Sequence, residues 1–215
     1  MQKMEKQPSF WQRLLFSKTM REKSYAHKIA YISVVTALNV VANFVEVKFM
    51  DTQFSVTIVL GLLSGVALGS LSGFASGLIG DFLGVVLRGW LYMPWVGFST
   101  ATFALISGVF VEFLPIRFKG GLQLRMALAC VVTFLVCTIA INSTGFYYYN
   151  EAMGFSTAVV DYATKHFGSE VTFWVYVAYR LFLKGQIWNS LVNYALFFIV
   201  LPVLMRIKPL GIKVE

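Results

Sequence analysis

A chain of 215 residues that is 58% hydrophobic and only 13% Asp, Glu, Lys and Arg carries about half the charge of a soluble domain and cannot cover its surface the way one does. Spanning the hydrocarbon core takes about 20 mostly apolar residues, so this length has room for about six helical spans with short loops. A formal net charge of +8 would point a soluble protein toward nucleic acid. Here the basic residues gather at the N-terminus, one mid-chain loop and the C-terminus, which is a topology signal that argues against nucleic-acid binding.

Residues 1–27 form a basic lead-in. Phe10, Trp11, Leu14 and Leu15 recur at helical spacing among Arg13, Lys18, Arg21 and Lys23, so the stretch is either an interfacial helix in the headgroup layer or a loose solvated tail. It has no apolar segment of the signal-peptide kind, so the first span is expected to stay in the mature protein. The spacing then predicts a six-helix transmembrane region over residues 28–206 and a short tail over 207–215. The spans run from about Lys28 to Phe49, Phe54 to Ser70, Ser72 to Leu87, Trp95 to Ile116, Leu124 to Tyr147 and Val171 to Met205. A polar connection over about 148–170 precedes the last, which is too long for one straight crossing. Its outer part is expected to be a helical extension or a re-entrant turn near Lys184-Gly185.

Lys and Arg asymmetry orients the bundle. With both termini inside, the outer segments hold only Lys48, Arg88, Lys165, Arg180 and Lys184, and the inner ones hold every other Lys and Arg. The glycines Gly61, Gly65, Gly69, Gly73, Gly77, Gly80 and Gly84 lie on one stripe within spans two and three, where small residues let membrane helices approach. Their role is either internal packing or motion against a partner. Cys130 and Cys137 share one helical face of an apolar segment and read as buried packing residues, neither a disulfide nor a metal pair.

Charges inside or beside the spans are the informative ones, because an ionised group in the membrane faces protein or water. Asp81 either lines a cavity or pairs with a polar neighbour such as Asn39 or Arg88. On a regular helix Arg180 and Lys184 share a face with Trp188 and, less closely, Tyr176, with Gln186 and Asn189 nearby. Such a cationic and aromatic set suits a planar anionic ligand, or else anchors the helix at the interface. The loop from Arg88 to Trp95, with Trp90, Tyr92 and Trp95, and the loop with Glu46, Lys48, Asp51 and Gln53 are predicted on the same side, where they would converge with span six over one pocket. Ala26, Ala30, Ser33 and Ala37 make a small-residue stripe along span one, for internal packing or for a separate subunit. No zinc-protease, nucleophile-elbow or phosphate-loop pattern occurs. An enzyme is not expected, nor is a cofactor or metal, and any ATP hydrolysis must come from another protein.

The order of these features resembles a known family. The residues that carry it are the small-residue stripe within Ile29 to Phe44, the run Gly80-Asp81-Phe82-Leu83-Gly84, the segment Tyr92-Met93-Pro94-Trp95-Val96-Gly97-Phe98 with Thr100 and Thr102, the run Asn142-Ser143-Thr144-Gly145, and Arg180-Leu-Phe-Leu-Lys184. Over roughly residues 24–206 the chain resembles the substrate-binding S components of energy-coupling factor (ECF) vitamin transporters, most nearly the folate-type branch. Two segments differ from that branch: the longer connection at 148–170, and the loop with Arg88 and two Trp. The resemblance implies an all-α bundle of six transmembrane helices with cytoplasmic termini at the plasma membrane and a pocket open to the outside. It implies assembly with a transmembrane coupling subunit and two ATP-binding cassette subunits, the coupling subunit meeting Ala30, Ser33 and Ala37, and a toppling motion that releases cargo. It also implies that Arg180 helps bind an acidic substrate. The expected ligand is vitamin-like, folate first and another heteroaromatic otherwise, held by Arg180, Lys184, Trp188, Trp90, Tyr92, Trp95, Asp51, Gln53 and Asn142. A stand-alone permease or channel and an intramembrane enzyme are the rival readings.

Overall fold

The computed structural model describes residues 8–49, 52–116, 118–168, 170–207 and 212. Two short helices, α1 (Phe10–Leu15) and α2 (Lys18–Arg21), lead into α3 (Tyr25–Ala42). The hairpin β1 (Glu46–Phe49) and β2 (Thr52–Ser55) follows, then α4 (Thr57–Leu68), α5 (Ser70–Leu87) and α6 (Pro94–Phe113). α7 (Gly121–Thr133) runs through a π segment, Phe134–Ser143, into α8 (Thr144–Met153). α9 (Thr157–Phe167), α10 (Phe173–Ala178) with a π turn at Tyr179–Leu183, and α11 (Gln186–Arg206) complete the chain.

The expected helical membrane bundle is present, with corrections at its ends. Span one stops at Ala42, and residues 46–49, expected to be helical, pair antiparallel with β2, Glu46 opposite Ser55. The cause is legible: Glu46, Val47, Lys48 and Phe49 alternate polar and apolar, a period-two pattern that suits a strand. Five helices among the described residues are long and apolar enough to cross a membrane: α3, α5, α6, the 33-residue α7–α8 and α11. The helix of predicted span two, α4, has 12 residues, about 18 Å of rise against about 30 Å of hydrocarbon. Residues 148–153, expected in the polar connection, continue the fifth helix, and α9 fills most of what remains. The last span breaks as expected beside Lys184: Gly185 sits at φ +66° and ends the π turn before α11 starts.

Three helices form the centre. Hydrophobic drive between helices is weak in lipid, so close approach and hydrogen bonds must supply the association. Gly65 of α4 lies so near α6 that a Cβ there would fall 1.9 Å from the Ala104 carbonyl oxygen, and a Cβ on Gly73 of α5 would sit 2.8 Å from the Gly65 Cα. Ser107 Oγ of α6 donates to the Leu62 carbonyl at 2.7 Å. The glycine stripe thus serves internal packing. α3 joins α4 and α5 by a polar seam, in which Asn39 Nδ2 donates to Ser64 Oγ at 3.1 Å and Ser76 Oγ at 3.3 Å, and Thr36 meets Ser76 at 2.9 Å. The apolar core runs from Leu62 and Phe103 through Met126 and Cys137 to Phe197 and Leu201. Both cysteines are buried and free.

The bundle has two distinct ends. One carries α1–α2, the α4–α5 turn, the α6–α7 link and the end of α11; the other carries the hairpin, the α5–α6 loop, α8–α10 and the start of α11. Arg21 and Glu112 form an ion pair of 2.6 Å at the first end, where Arg125 also donates to the carbonyls of Val111 and Ile116. Because α4, α5 and α6 meet backbone to backbone, Gly65→Val should cost about 1–3 kcal/mol by overpacking and clearly lower the melting temperature of the detergent-purified chain. Ile79→Val, at a half-exposed site on α5, should leave it nearly unchanged.

Candidate functional site

At the hairpin end, two asparagines one turn apart on α11 organise the backbone. Asn189 Oδ1 accepts from the Ser55 amide at 3.0 Å. Asn193 Oδ1 accepts from the Val59 amide at 3.0 Å, and its Nδ2 donates to the Ser55 carbonyl at 2.7 Å. These bonds tie β2 and the first turn of α4, which lacks a side-chain cap, to the last helix.

Beside this seam, α6, the π segment with α8, and the α10 π turn bring polar and aromatic groups together. Arg180 lies in the π turn and is only 9% exposed. Its guanidinium donates to Ser143 Oγ at 3.2 Å and lies 4.5 Å from the centroid of the Phe146 ring, with no carboxylate partner among the described residues. Trp95, in the first turn of α6 after Pro94, stands 5.9 Å edge-on to Phe146 and 5.8 Å from Tyr149. Gly145 makes room for it: a Cβ there would fall 2.3 Å from the indole. Asn142 Nδ2 donates to Ser99 Oγ at 2.9 Å, and Ser99 donates on to the Cys137 carbonyl at 3.1 Å.

Two groups in this cluster are unsatisfied. Trp95 Nε1 and Asn142 Oδ1 are buried without a hydrogen-bond partner among the described residues. A buried polar atom left so costs about 1–3 kcal/mol, and such groups call for an explanation in a native fold. Together the cluster presents an indole donor, an amide acceptor, a guanidinium and three ring faces. Tyr176 lies beside it, its hydroxyl accepting from Asn150 Nδ2 at 3.0 Å, and α9 packs Val159 and Tyr162 over Tyr176 and Tyr179.

The structure gathers some of the predicted site residues and separates others. Arg180, Trp95 and Asn142 converge. Lys184 and Trp188 do not share a face with Arg180, because the π turn and Gly185 break the regular helical register between them; both are exposed, Trp188 by 58%. Trp90 points outward under the Arg88 guanidinium, 3.5 Å from its ring centroid. Tyr92 stacks edge-on against Phe82 at 5.1 Å. Burial and, secondarily, nearby Asp81 raise the Tyr92 phenol above its ordinary value, so it stays a protonated donor. Asp81 is 3% exposed and bonds neither Asn39 nor Arg88; Thr100 Oγ1 donates to its Oδ1 at 3.4 Å, and its Oδ2 has no partner among the described residues. Gln53 falls in β2, and Asp51 lies outside the described residues.

Ser99, Phe146 and Asn193 escaped the sequence reading. Asn193 had a signal, a second amide four residues after Asn189 inside an apolar span. Phe146 stands four residues after Asn142, but one Phe among 20 carries no mark of its own.

Cavities among the described residues lie away from this cluster. One of about 280 Å³ between α7 and α11 is lined by Cys130, Phe134, Ile187, Ser190 and Tyr194. A larger groove of about 560 Å³ runs between α3, α4 and α11, lined by Ala30, Val34, Leu38, Leu63, Ala67 and Leu204. Ala30, Ser33 and Ala37 are all exposed.

Replacing Asn193 with Leu removes both bonds that fix the start of α4. Hydrogen exchange at the Val59 amide should then accelerate about tenfold, the equivalent of about 1.4 kcal/mol, within the range of one or two hydrogen bonds, while the Ser55 amide keeps its Asn189 acceptor. Unchanged exchange at Val59 would show that the start of α4 is held by something else.

No curated protein matches the chain. A family model described as ECF-type riboflavin transporter, S component, matches residues 23–177, from just before α3 to α10. The match supports an S component and not the folate-type branch specifically. The chain therefore belongs to the ECF-type riboflavin transporter S component family: it is a multi-pass plasma-membrane protein, the substrate-binding subunit of an ECF importer and not an enzyme, working with a membrane-embedded module whose partner subunits hydrolyse ATP.

Proposed function

We propose that this subunit captures a planar heteroaromatic vitamin at the cluster of Trp95, Asn142, Phe146 and Arg180, with riboflavin as the first candidate. The observation that carries the reading is the pair of unsatisfied buried groups, Trp95 Nε1 and Asn142 Oδ1, beside aromatic faces and a guanidinium. A flavin ring offers carbonyl oxygens to the indole N–H and guanidinium and a ring N–H to the amide oxygen. Its flat face matches the rings. The matching family's description supports riboflavin over folate, the ligand that the resemblance to the folate-type branch put first. Folate remains the second reading on one observation: Arg180 is buried with no carboxylate partner among the described residues, and an acidic ligand would supply one.

The same proposal includes six crossings, the short α4 extended by the chain leading out of the hairpin, with both termini cytoplasmic. The distribution of Lys and Arg supports that orientation. Cargo then enters from the hairpin end. Lys184, Trp188, Trp90 and Tyr92 belong to the rim of that entrance and not to the inner contact set. The exposed stripe Ala30, Ser33 and Ala37, beside the groove of α3, α4 and α11, is the surface offered to the coupling subunit; small side chains there allow another helix to lie close.

Titrating the detergent-purified chain into riboflavin should quench flavin fluorescence. Trp95→Ala and Asn142→Ala should each weaken binding at least tenfold, about 1.4 kcal/mol. Arg180→Ala should weaken folate at least tenfold if folate is the cargo, read by calorimetry. Absence of binding by both compounds would remove the assignment. Ala30→Trp or Ala37→Trp should abolish uptake in vesicles containing the whole importer and spare ligand binding; normal uptake by both would exclude the stripe as the coupling surface.

A further inference from the structure

Helices α1 and α2 lie outside the matched region and have no part in the ligand cluster, yet they are built firmly into the fold. The Ser17 amide donates to the Leu68 carbonyl at 2.9 Å, Ser17 Oγ donates to the Ala67 carbonyl at 2.7 Å, and Ser72 Oγ donates to the Leu15 carbonyl at 2.6 Å. This segment crosses the α4–α5 turn at Gly69, whose φ of +110° and missing side chain allow the crossing: a Cβ there would meet the Ser17 nitrogen at 2.5 Å. Thr19 and Met20 are buried, and Arg21 pairs with Glu112. This is not a loose tail.

Its other side faces away from the protein and is apolar. Phe10 is 61% exposed, Trp11 70% and Leu15 42%. Basic side chains border that face. The Arg13 guanidinium lies 4.9 Å from the Phe113 ring centroid, Lys23 Nζ lies 4.7 Å from that of Tyr31, and Lys28 Nζ lies 4.9 Å from that of Phe16, with Lys18 at the start of α2. Among the described residues of this segment basic side chains outnumber acidic ones, and the neighbouring Glu112 is engaged by Arg21. A six-residue helix does not hold itself together in water. One with Trp and Phe outward and a basic border fits the headgroup layer of a membrane, and the positive excess selects anionic headgroups.

We propose that α1–α2 is a brace that binds the anionic phospholipid surface at the end of the bundle where α4 turns into α5. The apolar face enters the headgroup–acyl boundary, and the basic side chains meet the phosphates. Through the Ser17 and Ser72 bonds the brace then fixes the central helices at a set depth.

The test uses the full chain in lipid nanodiscs. The emission of Trp11 is isolated as the difference between wild type and Trp11→Phe. Dibromo-phosphatidylglycerol should quench that component, and more strongly than dibromo-phosphatidylcholine at equal dilution. In native mass spectrometry Lys18→Gln/Lys23→Gln should lower the phosphatidylglycerol retained by about fivefold or more, the effect of about one lost surface charge contact. Three results would overturn the proposal: no quenching of Trp11 by either lipid; equal quenching by both with unchanged lipid retention in the double variant; or loss of the quenching when the coupling and ATPase subunits are added, which would give this face to a protein partner.

Discussion

The contact that everything else depends on is the side-chain-free meeting of α4, α5 and α6. A bilayer offers helices little hydrophobic reason to associate, so the chain brings three backbones close enough for dispersion and serine-to-carbonyl hydrogen bonds to hold. Gly65 against Ala104, Gly73 against Gly65 and Gly108 against Ser70 are close approaches of this kind. From this rigid trio α3 hangs by the Asn39 seam and α11 by its contacts with α4, while the fifth helix packs along α6. The short α4 is tolerable because its start is capped from another helix, by Asn193.

That division of labour shapes the function. One side of the bundle, α3 with α4 and the end of α11, keeps an exposed small-residue stripe beside a mainly apolar groove. The opposite part, where α6, α8 and α10 meet, holds groups that the fold leaves unsatisfied. An indole N–H and an amide oxygen without partners, next to a buried guanidinium, are a standing cost of folding. A ligand with complementary edges removes that cost, so the same groups that weaken the empty protein strengthen the complex. The rings of Trp95, Phe146 and Tyr149 stand beside these groups, and α9 packs over the aromatic layer outside them.

Much of this was legible before the structure. Apolar run lengths gave the bundle, glycine spacing gave its centre, and the motif order pointed to the ECF family. Arg180, Trp95 and Asn142, three of the residues expected to hold the ligand, lie in one cluster, and their role there is a proposal. What periodicity could not give was the backbone irregularity. A π turn shifts the register, so Lys184 and Trp188, one and two regular turns from Arg180, leave its face. The hairpin was hidden because four alternating residues at the end of a long apolar run resemble the last turn of a helix. Ser99 and Phe146 carry no local signature, and their role comes only from which helices pack together. The family match supports an S component without selecting the folate-type branch, a preference that rests on the order of features along the chain.

The most direct test of the central claim is a calorimetric titration of riboflavin into wild type and Trp95→Phe, with the melting temperature of each ligand-free protein recorded alongside. The substitution keeps an aromatic ring and deletes the unsatisfied N–H. The account predicts weaker ligand binding together with equal or higher ligand-free stability. Equal affinity in the two proteins, with stability lost, would show that the indole is only a packing residue and would contradict the account.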